Sequence, residues 1–303
     1  MAFLIPIFLI LLLSYLAYLK TFHSSARRKE SIYDIPKSGQ YANIRPIMIK
    51  LVDEFEKIPF EEVYIESFDG LSLFGRYYHV SDSAPLQIEM HGYHGTAIRD
   101  FCGGNKLARE LGMNTLAVDQ RAHGKSGGST ICFGIKEKYD CLAWAEYAAK
   151  HFPNTPIILS GVSMGGSTVL MASELDLPKN VVGIIADCPF SSPEEIIAKE
   201  CKKTGISPKI GMPLIKLGAL LFGNLRLFGG AECAVKNTKV PILILHGEDD
   251  RFVPCDMSRN IKAANPDMVT LKTFPGAAHG TSYVLYPDEY GKETADFLKK
   301  CGI

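Results

Sequence analysis

Six short apolar runs, at 86–90, 114–119, 156–160, 181–187, 241–246 and 269–274, recur along the chain with helically patterned stretches near 98–111, 136–150, 165–174, 256–264 and 288–300. Neighbouring parallel strands need a long crossover, and crossover helices on both faces bury the sheet from either side, so parallel strands read as apolar throughout. The alternation therefore predicts an α/β fold with a mostly parallel sheet covered on both faces. Ahead of it, β-rich runs at 63–67 and 71–79 flank Phe68-Asp69-Gly70, and Asp-Gly is a strong hairpin signal. An antiparallel pair is expected to open the domain. At 303 residues the chain suffices for one large domain, or one domain with an insertion. The insertion falls at about 191–239, where some fifty residues with helical pieces replace a single crossover helix. This reads as a cap. Its second half, 212–228, is apolar, and is expected either to bury a helix face on the core or to line an apolar pocket as a lid.

The balance of 33 basic and 33 acidic residues removes the electrostatic reason to expect a nucleic-acid partner. Eight cysteines, Cys102, Cys132, Cys141, Cys188, Cys201, Cys233, Cys255 and Cys301, lie far apart with no C-x-x-C pair, which indicates neither a zinc site nor a disulfide scaffold. Most are expected to be reduced thiols, several of them buried. Residues 2–19 carry no charge and as a helix would extend about 27 Å, near the lower limit for crossing a bilayer. Lys20, Arg27, Arg28 and Lys29 follow, so the positive-inside rule puts the C-terminal side in the cytoplasm. A secretory signal cut after the small residues Ser24 and Ala26 is the rival reading, although the basic segment that opens such signals is missing. Residues 1–20 are thus expected to form a membrane anchor, 21–60 a linker and approach segment, and 61–303 the folded domain.

Gly161-Val162-Ser163-Met164-Gly165 matches G-x-S-x-G, a pattern in which a serine sits on a sharp turn between strand and helix. The pattern also fits Gly124-Lys125-Ser126-Gly127-Gly128, so context decides. Ser163 directly follows an apolar run and opens a helical one, whereas Ser126 follows a polar stretch and leads into no evident helix. Ser163 is therefore the candidate nucleophile. A serine hydroxyl needs a base to take its proton and an acid to orient that base. Asp249 and Asp250 follow the run 241–246, and His279 follows the run 269–274, at the sheet edge where α/β folds place ligands. Of the eight histidines, His279 alone both comes after the acid and ends such a run. Asp187, the other acid ending a run, reads as structural.

With these motifs in order, the chain resembles the α/β-hydrolases, specifically the capped serine hydrolases of the prolyl-oligopeptidase and serine-aminopeptidase-like branch, over roughly 61–300. The resemblance implies an α/β-hydrolase fold with a small helical cap. In that family H-G-x-x-D-x-x-V-P carries the acid at its fifth position, which is Asp250 here, with Asp249 as the fallback. It also implies an oxyanion hole made by the backbone amides of Tyr93, in His91-Gly92-Tyr93-His94-Gly95, and of Met164. His91 and His94 are then expected to shape the loop. Asp119 and Arg121, in the family's D-x-R-x-x-G-x-S-x-G segment, are expected to brace it. The activity implied is acyl transfer to water through a Ser-His-Asp triad, with neither metal nor organic cofactor. The apolar cap and the anchor favour a hydrophobic or lipid-like acyl substrate. An acyltransferase or a peptidase on the same triad, and a membrane-tethered binding protein without turnover, are the alternatives. One irregularity stands out: Gln87 and Glu89 alternate with apolar residues in 86–90. A buried Glu would need a partner, so a sheet face partly exposed near the anchor is the simpler expectation.

Overall fold

The computed structural model of the chain describes residues 4–24 and 31–303. Ala26 of the candidate cleavage site, and the basic residues Arg27, Arg28 and Lys29, lie outside them. All eight expected strands form: β1 (Glu61–Glu66), β2 (Ser72–Tyr78), β3 (Leu86–Met90), β4 (Asn114–Asp119), β5 (Ile157–Val162), β6 (Val181–Asp187), β7 (Ile242–Gly247) and β8 (Val269–Phe274). They make one sheet in the order β1-β2-β4-β3-β5-β6-β7-β8. β2 runs antiparallel to both β1 and β4, and every other pairing is parallel.

The helices are α1 (Leu4–Thr21), α2 (Arg45–Glu56), α3 (Ala97–Asp100), α4 (Cys102–Glu110), α5 (Glu137–His151), α6 (Met164–Ala172), α7 (Pro193–Lys203), α8 (Pro208–Gly223), α9 (Ala231–Ala234), α10 (Cys255–Ala264), α11 (Ser282–Leu285) and α12 (Pro287–Lys300). Successive strand residues point to opposite faces, and the core divides accordingly. Leu159, Ile184 and Ile244 pack under Trp144 of α5, Val169 of α6 and Ile261 of α10. Ile158, Ile185 and Leu243 pack under Leu107 of α4 and Phe297 of α12. The sheet is a mixed, mostly parallel one flanked by helices, with an α/β-hydrolase topology. All eight cysteines are unpaired thiols, and six of them are buried.

One expectation needs correcting. The strand β3 is buried along its whole length, so the alternating Gln87 and Glu89 do not mark an exposed face. Glu89 has partners instead: Gln87 Nε2 donates to its Oε1 at 3.0 Å, and Asn105 Nδ2 reaches its Oε2 at 3.3 Å while also meeting Thr115 Oγ1 at 2.6 Å. The strand holds the fourth place in an eight-stranded sheet, where covering helices leave no solvent face. The apolar cap helix is α8, which starts at Pro208, ends where Asn224 takes the left-handed conformation, and lines an apolar cavity through Leu214 and Ile215, as the lid alternative expects. Its main contact is α1 rather than the sheet. Gly218 lies against the Ser14 carbonyl and Tyr18, and Gly223 lies against the Tyr18 ring; a side chain at Gly218 would collide with the Ser14 oxygen. Small residues that let helix backbones approach are the usual device of apolar helix pairs.

The C-terminal end of α1 is woven into the domain. Phe22 is fully buried, Ile131 N donates to the Phe22 carbonyl at 2.7 Å, and Ser24 N donates to the Ser129 carbonyl at 2.9 Å. Tyr18 Oη meets Thr130 Oγ1 at 2.8 Å. The rest of α1 projects apolar side chains into the surroundings, with Leu4, Ile5 and Phe8 each about two-thirds or more exposed. It is the one helix among the described residues long and apolar enough to cross a membrane. α2 buries Leu51, Val52 and Phe55 beside Tyr78 of β2, so much of the approach segment is itself packed.

Burial pushes the Glu89 carboxyl up from its ordinary 4.5 to about 8, against the opposing hydrogen bonds of Asn105 and Gln87. Below about pH 4.5 folded and unfolded chains both hold that proton; above it the unfolded chain releases it first, which favours unfolding until the folded group also ionises near pH 8. The stability of the native chain relative to Glu89→Gln is therefore expected to fall as pH rises from 5 to 8, by up to about 1.4 kcal/mol per pH unit. Thermal unfolding midpoints of both proteins in detergent across that range check this; a difference that does not change with pH would contradict it.

Candidate active site

Ser163 occupies the turn between β5 and α6 with φ 56° and ψ −116°, a conformation that costs a non-glycine residue on the order of 1–3 kcal/mol. The turn can be that sharp because its flanking positions carry no side chain. A Cβ on Gly161 would overlap the Gly165 backbone, and one on Gly165 would overlap the Met90 carbonyl. Ser163 N donates to the Asp187 carbonyl at 2.8 Å, which ties the turn to the end of the next strand. The strain lifts the hydroxyl out of the sheet edge and leaves it beside His279.

His279 Nε2 lies 2.9 Å from Ser163 Oγ, and His279 Nδ1 lies 2.6 Å from Asp250 Oδ2. Because an ionised carboxylate only accepts, Nδ1 carries the proton and Nε2 is left to accept from the serine hydroxyl. Asp250 is buried at the turn after β7; Phe252 N and Val253 N both donate to its Oδ1 at 2.8 Å. Burial pushes its carboxyl up, but hydrogen bonds and charge from His246 and His279 outweigh this and hold it well below the usual carboxylate range. Asp250 is thus a fixed anion at physiological pH. Asp249 is exposed and does not approach His279; its carbonyl accepts from Gln40 Nε2 at 2.9 Å.

The loop 91–95 lies against this centre, with Gly92 packed toward the Cβ of Ser163. Its shape is over-determined. His91 Nε2 accepts from Gln120 N at 3.0 Å and its Nδ1 meets the Gly92 carbonyl at 2.8 Å, while Gln120 Nε2 is bonded to the His91 carbonyl. His94 N donates to His123 Nε2 at 3.1 Å, and Gly92 N donates to Asp100 Oδ2 at 2.8 Å. Burial, together with the neighbouring His91, drives the His123 imidazole well below its ordinary value, so it stays neutral and can accept. Tyr93 Oη reaches across to the Thr21 carbonyl at the end of α1, at 3.0 Å. Met164 heads α6, where the first-turn amides have no acceptor within the helix.

The remaining sequence candidates have other partners. Ser126 Oγ donates to the Asp119 carbonyl and accepts from Phe74 N at 2.8 Å. Asp119 pairs with Arg76 at 2.8 Å, and Arg121 bonds both Asp140 and Asp69. Asp187 is buried and accepts from Tyr290 Oη at 3.0 Å. Among the described residues, Cys188, Asp250 and His279 are the His, Cys and acidic side chains grouped closely enough for a metal, their donor atoms within 4.8 Å of one another. Asp250 and His279 are already engaged with each other, and burial with the nearby Asp187 pushes the Cys188 thiol well up, away from the thiolate a metal requires.

Several residues near the site carry no sequence signal. Tyr41 Oη donates to the His279 carbonyl at 2.8 Å, so a segment read as linker braces the histidine loop. Arg99 Nε bonds Asp100 Oδ1 at 2.7 Å, steadying the carboxylate that holds Gly92. His246, at the head of H-G-x-x-D, is fully buried and lies 3.3 Å from Asp250 Oδ2. A histidine ending an apolar strand was the one available hint.

Two cavities meet at Ser163. One of about 440 Å³ is lined mainly by apolar side chains of α1, α7 and α8, with Phe133, Met164 and Phe190 at its inner end. The other, of about 310 Å³, runs past Tyr41, His94, Arg99, Asp100 and Tyr283. Tyr93 and Phe252 stand with Ser163 between them.

The family model described as serine aminopeptidase, S33, matches residues 88–220. The Bacillus subtilis protein YqkD is 26% identical over 256 residues, covering 81% of this chain and 81% of its own length. A monoacylglycerol lipase of Mycolicibacterium smegmatis is 26% identical over 242 residues, covering 66% of this chain and 82% of the lipase. Among solved structures, the esterase Pf2001 of Pyrococcus furiosus superimposes with a TM-score of 0.67 at 23% identity, over 82% of this chain and 93% of the esterase. Sheet order, turn geometry and these likenesses agree on an α/β-hydrolase fold, and residues 88–220 are similar to the serine-aminopeptidase S33 family.

Proposed function

We propose that the chain is a serine hydrolase that cleaves an ester bond of a hydrophobic acyl substrate. The observation that carries this reading is the continuous hydrogen-bond series from Asp250 through His279 to Ser163, ending on a serine held at positive φ. In the reaction, Ser163 Oγ bonds to the carbonyl carbon as its proton passes to His279 Nε2, and Asp250 stabilises the imidazolium. The backbone amides of Tyr93 and Met164 receive the tetrahedral oxyanion. Collapse breaks the bond to the alcohol, which leaves with the proton from His279. Water, deprotonated by the same imidazole, then releases the acid and restores Ser163. Each group used is supplied by the chain, so the reading calls for no metal or organic cofactor.

The two cavities support an assignment of substrate ends. The larger, apolar one suits an acyl chain, and the one bordered by His94, Arg99 and Asp100 suits a polar alcohol. The likeness to a monoacylglycerol lipase supports the same class of substrate. We read α1 as a retained membrane anchor: cleavage after Ser24 or Ala26 would strip the fully buried Phe22 from the core. The basic residues Lys20, Arg27, Arg28 and Lys29 favour a cytoplasmic domain.

Hydrolysis of p-nitrophenyl esters by the full chain in detergent tests the reading. Ser163→Ala and His279→Ala are each expected to lower kcat by at least about 10³-fold, and Asp250→Asn by about 10²- to 10⁴-fold. Retained turnover in Ser163→Ala would overturn it. Tyr41→Phe removes only the support on the His279 carbonyl, and is expected to cost about 2- to 12-fold in kcat, the equivalent of one hydrogen bond. A loss as large as that of His279→Ala would contradict a bracing role.

A further inference from the structure

The helix α1 presents three different faces. Ser14 and Tyr18 are buried against Gly218 and Gly223 of α8. Leu13, Leu16, Ala17 and Lys20, spaced i, i+3, i+4 and i+7, line the larger cavity. Leu12 lies outside that lining, one helical turn from Phe8, and differs from the similarly exposed Leu13 and Leu16 in that alone. From Leu13 to Thr21 the cavity follows the helix for nine residues, about 12 Å of its axis. The opposite wall is the cap, through Ile196, Ile197, Leu214 and Ile215, and the inner end is Ser163 itself.

We propose that α1 is a structural wall of the acyl pocket, so that the acyl chain of a bilayer-resident ester slides between α1 and the cap to Ser163 without crossing bulk water. The proposal rests on the serine-hydrolase reading above. Its occupant follows from continuity of surface. The same helix that walls the pocket is apolar and exposed along its length, and α8 beside it exposes Leu220, Leu221 and Phe222, so hydrocarbon surrounds the cleft on the outside while apolar side chains line it within. A lipid tail entering there exchanges one apolar environment for another and keeps its polar end near the headgroups, where Lys20 and Thr21 stand. The end of α1 is also tied to the chemistry: the Thr21 carbonyl accepts from Tyr93 Oη, and Phe22 packs on Phe133, whose ring lies 5.1 Å from that of Tyr93.

The test uses the full chain reconstituted in phosphatidylcholine vesicles, with p-nitrophenyl esters from acetyl to palmitoyl. Leu16→Trp on the α1 wall and Ile215→Trp on the cap wall are each expected to lower the palmitoyl-to-acetyl ratio of kcat/KM at least tenfold, while Leu12→Trp leaves the ratio as in the native chain. Acetyl ester turnover in the same preparations reports folding and the triad. For the palmitoyl ester, the rate is expected to follow its mole fraction in the vesicle rather than its bulk concentration. An unchanged ratio in Leu16→Trp, an equal drop in Leu12→Trp, or a rate set by bulk concentration overturns the proposal. Turnover persisting in Ser163→Ala would instead overturn the serine-hydrolase reading beneath it.

Discussion

The contact on which the site depends is the approach of the β5–α6 turn to the end of β3. No side chain fits between Gly165 and the Met90 carbonyl, or between Gly161 and the Gly165 backbone. That closeness brings the head of α6 down onto the central strands and forces Ser163 to positive φ. The energy that holds a strained residue comes from elsewhere: α6 is buried throughout, and Ser167 Oγ and Thr168 Oγ1 add bonds to the Phe190 and Met164 carbonyls at 2.9 and 2.8 Å. Replacing either glycine would move the whole turn rather than one atom.

Around that turn the polar groups are fastened in pairs, so that little needs to reorganise when charge develops. Asp250 is kept ionised by four hydrogen-bonding neighbours, two of them backbone amides. The loop 91–95 is fixed by His91, His123, Asp100 and Gln120, all of them largely or fully inaccessible to water. Donors and dipoles fixed in advance around a developing charge contribute more to the rate of acyl transfer than any other single effect. This also explains why so many histidines cluster here while only His279 touches the serine. Deeper still, the Gln87 and Asn105 amides donate to Glu89 and Asn105 also meets Thr115, although Asn105 Oδ1 is left without a partner.

Much of this was legible in the sequence, for a physical reason. Parallel strands buried on both faces must be apolar runs, and G-x-S-x-G at the end of one such run imposes a turn few other residues tolerate; the eight strands and the convergence of Ser163, Asp250 and His279 follow from that. The choice between Asp250 and Asp249 came from a family segment rather than from spacing. What could not be read depends on contacts between distant segments. Tyr41 under the His279 carbonyl, Tyr93 on the Thr21 carbonyl and α8 against α1 each join residues with no shared periodicity. The expectation of an exposed face at Glu89 failed because its partner Asn105 lies on a helix, sixteen residues away. Local alternation carries no record of such a partner.

The most direct test of the central claim is covalent capture. The full chain in membranes, treated with a fluorophosphonate and digested for mass spectrometry, is expected to carry the phosphonyl group on Ser163, with labelling lost in His279→Ala because the hydroxyl is then no longer activated. Absence of labelling, or a label on another serine, would contradict the claim that Ser163, His279 and Asp250 work as one catalytic unit.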